Sequence, residues 1–253
     1  MAEQRVDILL AEKQLVRSRT EAQKLIADGR VSVVLSGVAK TVAKPSEKFQ
    51  PDSEFVLSFG EEQKYASRAG LKLAHALAHF KVNVSDTIAL DVGQSTGGFS
   101  DCLLQQGCRH VIGIEVGHSQ LVAHLRSDAR ITCLEGYNAR NLQLSDLPAE
   151  AQSGIDLVVM DVSFISQHLI LPKIPAVLKP KGTLVSLVKP QFEVGQQGLG
   201  KKGVVTDQTL YAAVEAKIRR HLEELGLACR GYIASPILGG DGNHEFLLLA
   251  QKM

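Results

Sequence analysis

Leu90-Asp91-Val92-Gly93-Gln94-Ser95-Thr96-Gly97-Gly98-Phe99-Ser100 is the stretch whose reading decides the fold. An apolar run ends beside an acid and passes into glycines, as a strand does when it turns into a helix and brings backbone close to a ligand. The order G-x-x-x-G-G departs from the G-x-G-x-x-G turn that cradles a pyrophosphate, so a nicotinamide dinucleotide is disfavoured. Outward from this turn, β-rich runs at Thr87–Val92, His110–Glu115, Ile131–Glu135, Asp156–Asp161, Thr183–Val188 and Phe246–Ala250 alternate with helical stretches. That alternation predicts βαβ crossovers and an α/β, Rossmann-like domain whose mostly parallel sheet is covered on both faces.

A ligand without phosphates needs space for an amino-acid tail and an acid at the end of the second strand to accept ribose hydroxyls. Glu115 has that place, and Asn138-Ala139-Arg140 follows the third strand where an adenine edge would sit. With Asp91, Gly93, Ser95, Thr96, Gly97, Gly98 and Phe99 of the turn, these residues point to S-adenosylmethionine. A lone glycine pair also suits a tight turn with no ligand, and Asn138 also suits an ordinary loop turn.

The first sixty residues have a different texture. Val6, Leu9 and Leu10, then Ala22, Leu25 and Ile26, recur at helical spacing, with Ser18 or Thr20 as a cap and Gly29 as a stop. Val31, Val33 and Leu35 follow with strand alternation, so a small α+β unit spans 1–60. Gly60-Glu61-Glu62-Gln63-Lys64 has no hydrophobic period, and 61–66 is expected to link this unit to a second domain over 67–253. Arg5, Arg17, Arg19, Lys24 and Arg30 form a candidate phosphate-contacting patch. The same residues suit a solvated helix face, and nine basic against eight acidic residues through Gly60 imply modest affinity.

Composition narrows the function classes. Lys and Arg total 28 against 27 Asp and Glu in 253 residues, so no global positive field draws the chain onto nucleic acid. The polar start lacks a signal-peptide core, and apolar runs such as Ile155–Val162 are far shorter than the roughly 20 residues that span a bilayer. Cys102, Cys108, Cys133 and Cys229 contain no C-x-x-C pair, which suits reduced thiols in the cytoplasm and no metal site.

Two strand ends carry the chemistry. Val158-Val159-Met160-Asp161-Val162-Ser163-Phe164 places an acid, and Leu187-Val188-Lys189-Pro190-Gln191-Phe192-Glu193 an amine, at the carboxyl edge of the sheet where open α/β folds bind ligands. Ser67-Arg68-Ala69-Gly70-Leu71-Lys72 opens the domain with another lysine, and Asn243-His244-Glu245-Phe246 brings a late glutamate. Taken singly, these groups suit solvated lysines, a helix cap and a surface ion pair. Gly195–Gly203, with Lys201 and Lys202, reads as a mobile substrate loop or a plain connector.

The ordered strings Ser95–Phe99 (STGGF), Ser163–Ser166 (SFIS) and Leu187–Gly195 (LVKPQFEVG) resemble the TlyA-type ribosomal RNA methyltransferases, relatives of the FtsJ-like ribose methyltransferases, over essentially the whole chain. Ser18–Val31 is similar to the RNA-binding domain named after ribosomal protein S4. The resemblance implies a class I methyltransferase fold with a seven-stranded sheet, and a Lys-Asp-Lys-Glu tetrad on Lys72, Asp161, Lys189 and Glu245. It implies Phe164 and Asp161 at the methyl donor, Arg68 at RNA, and 2′-O-methylation of cytidine in large-subunit and, for some members, small-subunit ribosomal RNA. The expected partner is ribosomal RNA or a ribosomal subunit, with no membrane and no obligate protein partner. In that chemistry Lys189 is the general base, Asp161 orients it, and Lys72 with Glu245 holds the hydroxyl in line. Relatives commonly carry Arg and Trp where this chain has Gln63-Lys64-Tyr65-Ala66, though Tyr65 remains able to stack. Because this family has been labelled haemolysin, a cytolysin is one alternative, but no long apolar or strongly amphipathic insertion segment is apparent. A non-catalytic ribosome-assembly factor is another, against which the complete tetrad stands.

Overall fold

A computed structural model describes residues 3–16, 18–35, 37–58, 60, 64–200 and 202–253. The chain divides into two compact units, Met1–Glu61 and Glu62–Met253.

The first unit runs β1 (Gln4–Arg5), α1 (Val6–Glu12), α2 (Arg19–Ala27), β2 (Val31–Leu35), β3 (Val38–Thr41), β4 (Lys48–Phe49) and β5 (Phe55–Leu57). Ser18 caps α2, its hydroxyl accepting from the Glu21 amide at 3.2 Å. Val6, Leu9 and Leu10 of α1 meet Ala22, Leu25 and Ile26 of α2 and Val31 and Val33 of β2 in one small core. Burying such a leucine contributes roughly 1.5–3 kcal/mol, and Leu25→Ala, at a fully buried position, would remove one such contribution and leave a cavity. Strands β3, β2 and β5 form an antiparallel sheet in that order, and β1 pairs with β4.

The second unit adds α3 (Ala69–Phe80), β6 (Ile88–Val92), α4 (Gly98–Gln105), β7 (His110–Glu115), α5 (Ala123–Arg126), β8 (Ile131–Glu135), β9 (Ile155–Met160), α6 (Ile174–Val177), β10 (Leu178–Val188), α7 (Thr209–Glu224), β11 (Leu227–Ala234) and β12 (Phe246–Lys252). Seven strands lie in the order β11-β12-β10-β9-β6-β7-β8, parallel except where β12 inserts antiparallel between β10 and β11. Alternate residues feed opposite faces. Leu90, Val92, Val158 and Met160 join α6 and α7 in one core, while Ala89, Leu157 and Val159 join α3, α4 and α5 in the other. This two-sided burial explains why the central strands are continuously apolar. The order reverses at β6, which has β7 on one side and β9 on the other, and the crevice of such a sheet opens there.

The sequence pattern overlooked β11. Its alternation is interrupted by Gly231 and by a register shift between Cys229 and Gly231, and most of the strand is only half-buried. Tyr65 and Ala66, expected in the linker, are buried in the second unit's core, and the Ala66 amide donates to Asp101 at 2.7 Å. At 2% exposure Tyr65 has no face to offer a nucleobase, which corrects the stacking expectation. All four cysteines are free, and burial pushes the Cys102 thiol up to about 11. No helix among the described residues is long and apolar enough to cross a membrane.

Candidate active site

The glycine turn is built by backbone geometry. Gly93 has φ +85°, and a Cβ there would lie 2.6 Å from the Asp161 carbonyl oxygen, so any side chain would wedge β6 from β9. Gly97, at φ +95°, starts α4, and its missing side chain makes room for Leu121 and Leu125. The Ser95 amide donates to Glu115 at 2.9 Å and the Gly117 amide donates to the other oxygen at 2.8 Å, which fixes this acid at the end of β7. Each of those oxygens keeps a second lone pair for a hydroxyl.

A cleft of about 790 Å³ opens beside this turn, lined by Gly93, Ser95, Glu115, Asn138, Asp161 and Phe164 among others. These are six of the eleven residues expected at the cofactor. The other five lie elsewhere: Asp91 is buried beneath the turn, Phe99 packs in the α3–α4 core, and Thr96, Gly97 and Gly98 shape the turn without lining the cleft. Asp91 accepts from the Ser100 hydroxyl at 2.7 Å while its other oxygen has no partner, and burial, opposed by that hydrogen bond, pushes the carboxyl up to about 7. The Asn138 side-chain oxygen accepts from the Arg140 amide at 3.1 Å and so caps a short turn. Phe164 sits at φ +62° with its ring 93% exposed on the cleft wall.

The donor set fits S-adenosylmethionine. Among the described lining residues the charged side chains are Glu115, Asp161 and Arg140, two acids to one base, which suits a sulfonium better than a phosphate. The glycine turn leaves open backbone near Asp161, and the acid at β7 faces the same cleft.

The four candidate catalytic residues form two ion pairs. Lys189 Nζ lies 2.6 Å from an Asp161 carboxylate oxygen, and Lys72 Nζ pairs with Glu245. Topology brings the pairs together: Val188 is registered against Phe246, so Lys189 and Glu245 occupy adjoining ends of β10 and β12. Likewise the Asp161 amide donates to the Val92 carbonyl at 3.0 Å, tying the acid to the glycine turn. Lys72 rises from the first turn of α3 and is almost wholly buried with its partner.

Sequence reasoning missed several cleft residues, including Tyr137, Gln120 and Ser163. Ser163 accepts a hydrogen bond from Lys189 Nζ at 2.8 Å. A small polar residue two positions after a strand-end acid was the only available signal. Glu193 was also unassigned. It accepts from the Ser166 hydroxyl at 2.6 Å and the Gln167 amide at 2.8 Å, joining the loops that follow β9 and β10.

Of the candidate RNA contacts, Arg17 and Lys201 lie outside the described residues. Arg5 and Arg19 both grip buried Asp7, at 2.9 and 2.8 Å, and the Arg5 guanidinium beside it holds that carboxyl well below the usual range. Lys24 is exposed on α2, and the Arg30 guanidinium lies against Gly60. Arg68 is exposed at the start of α3 and Lys202 on its loop. That loop is anchored rather than loose: Leu199 bridges to Val205, and the Asn243 side chain accepts from the Val205 amide and donates to the Gly203 carbonyl.

Comparison with known proteins agrees with this geometry. A family model described as FtsJ-like methyltransferase matches residues 65–252, and one described as S4 domain matches residues 4–33. The 16S/23S rRNA (cytidine-2′-O)-methyltransferase TlyA of Mycobacterium tuberculosis is 38% identical over 244 residues, 96% of this chain and 88% of its own. Hemolysin A of Brachyspira hyodysenteriae is 36% identical over 243 residues, 96% of this chain and 98% of its own. A solved structure of a provisionally named hemolysin from Streptococcus thermophilus superposes with a TM-score of 0.74 at 39% identity, covering 100% of this chain and 90% of its own. A chain that sets two lysine–carboxylate pairs at adjoining strand ends of a Rossmann-like sheet, and that these relatives match almost end to end, belongs to the FtsJ-like methyltransferase family, in its TlyA branch.

Proposed function

We propose that this chain transfers a methyl group from S-adenosylmethionine to the 2′-hydroxyl of a cytidine in ribosomal RNA of the large subunit, acting in the cytoplasm. The observation that carries the reading is the pairing of Lys189 with Asp161 and of Lys72 with Glu245 at adjoining strand ends beside the cleft.

S-adenosylmethionine, when bound, supplies an electrophilic methyl on a cationic sulfur. Glu115 accepts hydrogen bonds from ribose hydroxyls, and Asn138 and Phe164 bound the adenosine end. A ribose hydroxyl is a poor nucleophile until its proton leaves, and Lys189 Nζ is the base that takes that proton. Asp161 orients the amine and adds negative potential on the donor side of the cleft. Lys72, locked to Glu245, holds the hydroxyl in line. Residues 1–60 form the RNA-binding domain and 67–253 the catalytic domain. Arg5, Arg19, Lys24, Arg30, Arg68 and Lys202, with Arg17 and Lys201, contact phosphate and position the substrate.

The test is methyl transfer from labelled donor to ribosomal RNA, with mass-spectrometric mapping of the modified ribose. Wild-type protein is expected to label one or a few cytidines, and Lys189→Ala to lose about three orders of magnitude in rate. Methylation on a base nitrogen or carbon, or full activity of Lys189→Ala, would overturn the reading.

A further inference from the structure

We propose that Glu193 is a positioning residue that fixes the wall of the methyl-donor cleft to the strand end carrying Lys189, an inference that rests on that cleft being the cofactor site. Much of the cleft is lined by one segment, from Asp161 at the end of β9 to Ile170. Residues 161–166 of that segment lie in neither helix nor strand, and a single turn over Gln167–Leu169 follows them. Phe164 within it stands at φ +62°, a conformation that a residue with a side chain keeps only where its surroundings hold it.

The hold comes from the turn that follows β10. The Phe192 amide donates to the Lys189 carbonyl at 2.9 Å, and the Glu193 amide to the Pro190 carbonyl at 2.9 Å. This tight turn sets Glu193 close to Lys189, and the Glu193 carboxylate then reaches the cleft wall with both oxygens. One accepts from the Ser166 hydroxyl at 2.6 Å, the other from the Gln167 amide at 2.8 Å. Further contacts run between the same two stretches of chain. The Gln167 side chain donates to the Leu187 carbonyl at 2.7 Å and accepts from the Ser186 hydroxyl at 2.8 Å, and the Phe164 and Phe192 rings lie 5.5 Å apart.

Glu193 is the one side chain that meets the wall through two donors at once. Burial pushes its carboxyl up, and the Ser166 and Gln167 donors oppose that shift. A carboxylate drawn partly out of water depends on such donors, so the wall and the turn are tied through it. Methyl transfer needs the donor and the base set closely against each other, and here the donor rests on the wall while the base stands on the strand end. Glu193 places one relative to the other without touching the reacting atoms.

Glu193→Ala, Glu193→Gln and Ser166→Ala are compared with wild type as full-length protein, by calorimetric titration with S-adenosylmethionine and by turnover on ribosomal RNA at saturating donor. A glutamine keeps both contacts, its carbonyl oxygen accepting from the Gln167 amide and its NH2 group donating to the Ser166 hydroxyl. Glu193→Ala is expected to raise cofactor Kd about tenfold at full stoichiometry and to lower kcat about tenfold with RNA KM unchanged, while Glu193→Gln stays within about threefold of wild type in both. Ser166→Ala, the milder cut, is expected to raise Kd about threefold. Wild-type Kd in Glu193→Ala would overturn the proposal, as would equal impairment of the Ala and Gln variants. A fall in binding sites per chain at unchanged Kd would overturn it too, because that is the mark of lost folding alone. Should Glu193→Ala not fold, wild-type Kd in Ser166→Ala overturns it instead. Failure of the wild-type protein to bind S-adenosylmethionine sinks the cofactor reading itself, whereas normal binding by both wild type and Glu193→Ala sinks this inference alone.

Discussion

Each unit holds a cluster of opposite charges, and the two clusters are built to opposite plans. In the first unit one fully buried acid, Asp7, serves Arg5, Arg19 and the Gln23 amide, and the two arginine side chains keep 38% and 52% of their surface in solvent. In the second unit two lysines face two carboxylates, and Lys189 and Asp161 retain only 11% and 16% exposure. The first plan saturates the acid and leaves the cations outward. The second pairs each cation with one carboxylate and keeps both partners largely out of solvent. What separates the two clusters is therefore where their cations sit, in solvent or out of it, and not the number of charges.

The comparison can be broken first at Glu245. Glu245→Ala leaves Lys72 buried and uncompensated, and chemical denaturation is expected to show a loss of about 3–5 kcal/mol in the second unit together with loss of turnover. The paired change Lys72→Met with Glu245→Leu is expected to recover most of the stability and none of the activity. Recovery of activity would make the pair a packing device only. Next in size, Asp7→Ala is expected to cost about 1–3 kcal/mol in the first unit, because the freed arginines remain solvated. Hydrogen exchange at α2 would register it, RNA KM would rise, and cofactor binding would not change.

Titration sharpens the contrast, because the two buried acids shift in opposite directions. Asp7 is held below the ordinary carboxylate range, so its contribution is complete above about pH 4 and fades as the pH falls further. Asp91 is pushed up to about 7, so its contribution is complete below about pH 4 and fades as the pH rises through 7. Hydrogen exchange followed from pH 8 to pH 5 is expected to show the β6 region gaining protection while α2 does not change, and Asp91→Asn is expected to flatten that trend. The smallest effect belongs to Phe164. Because its ring is exposed, Phe164→Ala is expected to alter stability by less than about 0.5 kcal/mol while weakening cofactor binding severalfold by calorimetry.

Much of this was legible in one dimension. Local patterns point to two short helices, one from Val6 and one capped by Ser18 or Thr20, to the glycine turn after β6, and to the acids and lysines at strand ends, because strand alternation, capping and turn chemistry are short-range properties. β11 is not legible because a bulge breaks its alternation, and Tyr65 reads as linker because a single aromatic beside a charged run has no period to reveal its burial. Phe99 looked like a ligand contact from its neighbours, yet the helical turn at Gly97 and Gly98 rotates it into the core.

The order of residues alone determined which chemical groups this protein possesses and at which strand ends they stand. Which of them meet was decided by tertiary structure. The antiparallel insertion of β12 carries Glu245 back beside Lys189, α3 delivers Lys72 to it from 173 positions away, and a loop turned at Phe164 brings Ser163 to within 2.8 Å of Lys189. The reason is physical: a hydrogen bond depends on distances of about 3 Å and on direction, and between residues so distant in sequence only packing and sheet register set either one.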